Sequence, residues 1–265
     1  MDVVVVTGAA SGIARATAER LLRNGRAVVG VDLDEAALQE LARSSPDAFG
    51  FVAGDVVERR THERAADAAE RLGRLRGWVN GAGIWVKTRA HDFAEEDLDR
   101  VLAVNLKGSI LGCSVACARF LAGGDGGAIV NVSSIEAIVA FPDAVAYEAS
   151  KGGIDALTRQ VAVDYGPAGI RCNGVRPGAI MTPLADVYLE AYAEDREEML
   201  QSWRDLSPLG LIGEADDVAA VVAFLLSEDA RFVSGELVNV DAGATARCFR
   251  YAPAPDLGRG GERTL

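Results

Sequence analysis

Short runs of β-branched residues alternate along this chain with longer segments whose apolar positions recur every three or four residues. A short, wholly apolar run suits a strand buried on both faces, and a helical period suits the crossover that covers it. Residues 3–6, 27–31, 49–53, 77–80, 128–132, 170–175 and 237–240 predict strands. Helical spacing predicts helices over about 13–23, 35–43, 58–72, 97–121, 145–165 and 216–226, several closed by a glycine such as Gly25 or Gly73. The expected class is α/β: a single Rossmann-like, doubly wound parallel sheet of about seven strands, helices on both faces, spanning residues 1–246. Residues 183–212 interrupt the alternation, yet carry Val187, Leu189, Tyr192, Met199, Leu200 and Trp203 at helical spacing. A long ordered insertion beside the carboxyl edge of a sheet predicts a substrate lid. Residues 247–265, rich in Gly, Pro and Arg, predict an arm or a frayed end.

Composition narrows the function classes. The formal net charge is −12, which opposes a nucleic-acid partner, because phosphate binding needs a basic face. Cys113, Cys117, Cys172 and Cys248 show no CxxC spacing, and His62 and His91 stand apart from them, so no metal site is expected. No uninterrupted apolar stretch approaches the ~18 residues of a membrane span, and the first residues lack a signal pattern. The expectation is a cytoplasmic protein with free thiols, acting on a small molecule without membrane or nucleic acid.

The turn from Thr7 through Gly8, Ser11, Gly12 and Ile13 to Ala14 follows the first strand and opens the first helix. Small residues let backbone approach a pyrophosphate, and the helix N-terminus offers unpaired N–H groups. Asp32 ends the second strand twenty residues after Gly12, where a carboxylate accepts from ribose hydroxyls and repels a 2′-phosphate; it also suits a helix N-cap. Tyr147 and Lys151, four apart, share one helix face. A tyrosine is a poor base at neutral pH until a neighbouring cation favours its phenolate.

Together these residues resemble the short-chain dehydrogenase/reductase family, over residues 3 to about 243. The turn is similar to its TGxxxGIG, with Ala14 for the last glycine, which predicts slightly looser helix packing. Asn80-Gly81-Ala82-Gly83 is similar to its NNAG, with Gly81 implying lost rigidity. The resemblance implies a hydride transfer between NAD and a secondary alcohol or ketone, on a cyclic or polar small molecule. It assigns Tyr147 as the base, Lys151 as its electrostatic partner and ribose anchor, Ser134 as the holder of the substrate oxygen with Ser133 as the neighbouring alternative, and Asn105 as the residue that bends a helix and holds a proton-relay water. Asp55 and Val56 then meet the adenine, Asn80 and Ala82 pass beneath the ribose, and Pro177, Gly178, Ile180 and Thr182 hold the carboxamide. Ser11 and Leu33 stand where NADP-preferring members commonly carry a basic residue. A homotetramer pairing the helices of Asn105 and Tyr147 is also implied. Trp85, Leu184 and Tyr188 are expected to wall the substrate. Glu136, two residues after Ser134, faces the same pocket if the chain stays extended, and is otherwise a solvated loop residue. An NADPH-dependent ketoreductase and a non-catalytic dinucleotide-sensing scaffold remain open alternatives.

Overall fold

A computed structural model describes residues 1–192 and 196–247. The first half runs β1 (Asp2–Thr7), α1 (Gly12–Arg23), β2 (Ala27–Asp32), α2 (Glu35–Ser44), β3 (Phe49–Ala53), α3 (Arg59–Leu72) and β4 (Arg74–Asn80). Helices α4 (Glu95–Val101) and α5 (Gly108–Gly123) follow, then β5 (Gly127–Val132), α6 (Val145–Tyr165) and β6 (Ile170–Pro177). The chain ends with β7 (Ile180–Met181), α7 (Pro183–Tyr192), α8 (Arg196–Leu206), β8 (Gly213–Glu214), α9 (Ala215–Leu226) and β9 (Leu237–Val240). Seven strands form one parallel sheet in the order β3-β2-β1-β4-β5-β6-β9. All seven predicted strands are present. The order reverses between β1 and β4, which opens a crevice at their carboxyl ends, where doubly wound sheets hold ligands.

The sheet separates two apolar layers. Val3, Val5, Val29, Trp78 and Ile129 face α3, α5 and α6; Val4, Val6, Val28, Val79 and Val130 face α1, α2 and α9. Successive residues of one strand thus feed opposite layers, and the valines read as an unbroken run because both faces are buried.

Three local features were not visible in periodicity. The predicted helix over 97–121 is broken by a π-helical stretch, Leu102–Lys107, between α4 and α5. The combined segment Glu95–Gly123 is long and apolar enough to span a membrane by length and mean hydropathy (1.6), but half of that window is buried in the fold, much of it against α3 and β4. The insertion at 183–212 holds α7 and α8, and is pinned at its base by β7 and β8, whose two-residue pairing is too short to leave an alternation. Of the predicted tail, only Arg247 lies within the described residues. Its guanidinium donates to the carbonyls of Asp205 and Leu206 at the end of α8.

Candidate active site

Construction begins at the crevice. Gly8 has φ +78°, and a Cβ there would lie 2.8 Å from the backbone of Ala82, so the turn can pass this close to the β4 loop only as glycine. Ser11 precedes α1 in extended conformation with its hydroxyl unused as a cap. Ala10 N donates to Asp32 Oδ2 (3.0 Å) and Asp34 N to Asp32 Oδ1 (3.2 Å), which fix the carboxylate at the rim while leaving lone pairs free. The N-cap of α2 is Asp34, through Ala37 N, so the capping role considered for Asp32 belongs to its neighbour. Leu33 is 72% exposed beside it. Asp55 Oδ1 accepts from Val57 N (3.0 Å), and the buried Val56 offers its carbonyl to His62 Nε2 (2.8 Å).

The two departures from the family motifs fit each other. A Cβ at Gly81 would lie 2.8 Å from Thr7 O and 2.9 Å from Ala14 Cβ, so the methyl of Ala14 fills the space that a side chain at 81 would need. Thr7 Oγ1 accepts from Gly81 N (3.1 Å) and donates to Val79 O (3.3 Å). The expected looseness and lost rigidity are therefore corrected to a close-packed junction. The Asn80 side chain is buried, accepting from Trp78 Nε1 (2.9 Å) and donating to Asn131 Oδ1 (2.8 Å), and so ties β4 to β5.

The candidate reacting groups lie on α6 and just beyond the end of β5. Tyr147 and Lys151 are both buried, one turn apart, with Nζ 5.2 Å from the Tyr147 ring centre. Nζ donates to Val132 O (2.9 Å), so the lysine is held under the tyrosine by the last carbonyl of β5. Burial pushes the Tyr147 phenol well up, the Glu136 carboxylate adds to that, and a hydrogen bond with Ser134 opposes it. Burial lowers Lys151 to about 8, against the carboxylates of Glu136 and Asp155, which favour its charge. Ser133 donates to Asp155 Oδ1 (2.7 Å), which removes it as the alternative to Ser134.

Asn105 sits in the π-helical stretch and is fully buried. Its Oδ1 accepts from Ile84 N (2.9 Å), and its Nδ2 donates to Ile84 O (2.9 Å) and Ser150 Oγ (3.1 Å). One amide so locks the wide turn, the β4 loop and α6 together. A Cβ at Gly83 would lie 3.5 Å from Asn105 Oδ1 and 3.7 Å from Lys151 Nζ, so both side chains border the β4 loop at that glycine.

Beyond β5 the chain does not stay extended: Ile135–Ala137 form a 3₁₀ turn capped by Ser134, whose Oγ accepts from Glu136 N (3.1 Å). The extended-chain geometry for Glu136 is therefore wrong, and so is the solvated loop. The turn buries its carboxyl, leaves Oε2 without a partner, and raises its pKa to about 7, through burial and the nearby Glu148. Trp85 packs with Tyr147, Leu184 and Tyr188, and its ring lies 5.1 Å from Tyr188 and 5.9 Å from Tyr192. The three apolar wall residues read from the sequence are thus in one cluster. Gly178 N donates to Val240 O (2.9 Å), and Ile180 is buried in β7. Thr182 Oγ1 accepts from Ala185 N (3.3 Å) at the start of α7.

Sequence reasoning missed the supports. Thr88 accepts from Ala146 N through Oγ1 (3.1 Å) and from Val145 N through its carbonyl (3.2 Å), holding the first turn of α6 from outside. Asp155 receives Arg176 Nε (2.9 Å) and Nη2 (2.6 Å), joining α6 to β6. No local pattern marks either pair, because the partners lie 58 and 21 residues apart.

A phosphate-accommodating turn at a topological switch, beside a buried tyrosine and lysine, defines a dinucleotide-dependent oxidoreductase. A family profile described as enoyl-(acyl carrier protein) reductase matches residues 8–245. The 2-(R)-hydroxypropyl-CoM dehydrogenase of Xanthobacter autotrophicus is 39% identical over 252 residues, covering 92% of this chain and 98% of that protein. Levodione reductase of Leifsonia aquatica is 35% identical, covering 92% and 94%. A crystal structure of levodione reductase superposes with a TM-score of 0.87, covering 92% and 98% of the two chains. The ligand-free aldohexose dehydrogenase of Thermoplasma acidophilum superposes with a TM-score of 0.85 at 30% identity, covering 95% and 97%. This chain belongs to the short-chain dehydrogenase/reductase family. Its activity is hydride transfer between a nicotinamide dinucleotide and a secondary alcohol or ketone.

Proposed function

We propose that this enzyme prefers NAD and acts on a cyclic or polar secondary alcohol or its ketone, with Ser134, Tyr147 and Lys151 at the reacting oxygen. The observation that carries this reading is the burial of a lysine directly beneath a tyrosine, at the mouth of a crevice whose rim holds a fixed carboxylate, Asp32. The residues fit a dinucleotide: the Gly8 turn is open only to backbone, and the N–H groups opening α1 point the helix dipole at that space. Asp32 supports NAD because a 2′-phosphate would meet a carboxylate held by two backbone donors. Gly8, Ser11, Gly12 and Ile13 would take the pyrophosphate, Leu33, Asp55 and Val56 the adenosine, Ala82 the ribose, and the 177–182 segment the carboxamide.

When bound, the nicotinamide supplies the hydride-accepting or hydride-donating carbon. Ser134 holds the substrate oxygen beside Tyr147, and Tyr147 takes the hydroxyl proton in oxidation or returns it in reduction. Lys151 keeps positive charge near the phenol, and Asn105 fixes the loop over it and carries the proton path outward. Burial holds the Tyr147 phenol neutral at pH 7, the state needed to reduce a ketone. Oxidation therefore gains from rising pH and reduction from falling pH. The helices α7 and α8 serve as the lid, the chain is a cytoplasmic homo-oligomer, and a tetramer pairing α5 and α6 is the assembly we favour.

Turnover of a panel of secondary alcohols, followed by absorbance of reduced nicotinamide with NAD and NADP, tests the reading. NAD is expected to give the higher kcat/KM. Tyr147→Phe is expected to lower kcat by about a thousandfold with NAD affinity retained. Equal or better use of NADP overturns the role of Asp32, and near-normal turnover in the phenylalanine variant overturns that of Tyr147.

A further inference from the structure

Among the described residues, three buried side-chain polar atoms have no hydrogen-bond partner: His62 Nδ1, Trp85 Nε1 and Glu136 Oε2. His62 lies beneath Val56, away from the reacting groups. The other two flank Tyr147. Trp85 packs in the cluster that contains Tyr147 and Tyr188, and the Glu136 carboxylate acts electrostatically on the same two tyrosines. An unpaired acceptor and an unpaired donor beside the same two tyrosines each carry a desolvation cost that protein groups do not relieve. Lys151, whose charge acts on Glu136, is committed to Val132 O, and Glu148 accepts from Phe141 N (2.6 Å).

We propose that Glu136 and Trp85 select substrates carrying a second hydroxyl close to the reacting carbon, the hydroxyl donating to the carboxylate and accepting from the indole N–H. This inference rests on the placement of Ser134, Tyr147 and Lys151 at the reacting oxygen. It points to a hydroxyl rather than an amine because only a hydroxyl serves both orphaned atoms: an ammonium has no lone pair for Trp85 Nε1. A plain alkyl substituent serves neither, and leaves both buried atoms unpaired.

The charge state of Glu136 adds a pH signature. The groups facing it are Tyr147, Glu148 and Lys151 from α6 and Tyr188 from α7. With its carboxyl raised to about 7, Glu136 ionises through neutral pH and becomes the stronger acceptor. Preference for the second hydroxyl therefore grows with pH across that range. Dividing one kcat/KM by another on the same skeleton cancels the titration of Tyr147.

The test uses the full chain with NAD and three probes of one skeleton: cyclohexanol, 1,2-cyclohexanediol and 2-aminocyclohexanol. The wild type is expected to favour the diol in kcat/KM, with the diol-to-alcohol ratio rising from about pH 6 to about pH 8. Glu136→Gln is expected to lower that ratio by about tenfold or more and to flatten its pH dependence, and Trp85→Phe to lower it several-fold. If the glutamine variant does not fold, Glu136→Asp, which keeps the charge but shortens its reach, is expected to lower the ratio too. Calorimetric binding of the diol to each variant gives a readout apart from turnover, and is expected to weaken in the same order. An unchanged ratio in Glu136→Gln, or a wild type that favours the amino alcohol, overturns the proposal. Absence of turnover with every alcohol falls on the function reading instead, and diol binding still decides the role of Glu136.

Discussion

Ala14 and Gly81 illustrate how one residue can make sense only beside another. Each departs from its motif alone, and each departure predicts a weakness, but the side chains share a single space between α1 and the loop after β4. Replacing Gly81 with Asn would drive a side chain into Ala14 and the Thr7 carbonyl, so Gly81→Asn is expected to cost about 2 kcal/mol or more in denaturant unfolding. Ala14→Gly in the same chain is expected to recover part of that loss, and a double-mutant cycle with no coupling would separate the two positions. This junction also marks what a sequence can and cannot disclose. The motifs located Gly8, Asp32, Ser134, Tyr147 and Lys151 because chemistry requires those residue types at set spacings. Compensation between positions 14 and 81 was hidden because their 67-residue separation is bridged only by folding.

At the scale of elements, α6 carries Tyr147 and Lys151 on one face and is gripped from three sides. Thr88 holds its first turn, Asn105 reaches Ser150, and Asp155 joins it to Arg176 on β6. The Asp155–Arg176 pair is buried, with side-chain exposures of 5% and 14%, so losing one partner strands the other. Asp155→Ala is expected to cost about 3 kcal/mol in urea unfolding. It also removes a carboxylate that favours the Lys151 ammonium, so the loss of activity as that lysine deprotonates is expected at lower pH in the variant. Helix periodicity was enough to find α6 and the helix around Asn105. It did not reveal the π-helical stretch, since the wide turn is set by tertiary demands on one amide rather than by the apolar pattern. The 3₁₀ turn at Glu136 was missed for a related reason, as three residues carry no period at all.

For the molecule as a whole, two buried titratable groups pull stability in opposite directions with pH. Burial lowers His62 below the ordinary histidine value of 6.5. Between its folded pKa and 6.5 the unfolded chain binds the additional proton, so stability rises with pH through that window and is lost as the solution turns more acid. Glu136 is the reverse: its folded pKa near 7 exceeds 4.5, so its burial weakens the fold as pH rises through that interval. At pH 8 the shift corresponds to about 3 kcal/mol, and Glu136→Gln is expected to raise the thermal midpoint there, with the gain vanishing below about pH 4.5. His62→Gln is expected to flatten the acid side of the same profile. A midpoint that moves equally at both pH values would dissociate these side chains from the pH dependence. The seven-strand architecture itself was legible, because the central strands β1, β2 and β5 are buried on both faces and appear as apolar runs. The insertion that holds α7 and α8 was legible by its length and its helical spacing, but its seat was not, because Tyr188, Tyr192 and Trp203 meet one another and Trp85 only in the folded chain.

The bonds of Arg247 to the end of α8 have a mechanical meaning. Ser207 and Leu209 also donate to Ala242 O, at 3.5 and 3.4 Å, so the stretch after β9 is stitched to the segment that follows α8. A load applied behind residue 247 travels into α8 before it reaches the sheet. A bulky protein fused to the C-terminus is therefore expected to raise the KM for alcohol while leaving the Kd for NAD unchanged, and Arg247→Ala is expected to uncouple the fusion from that effect.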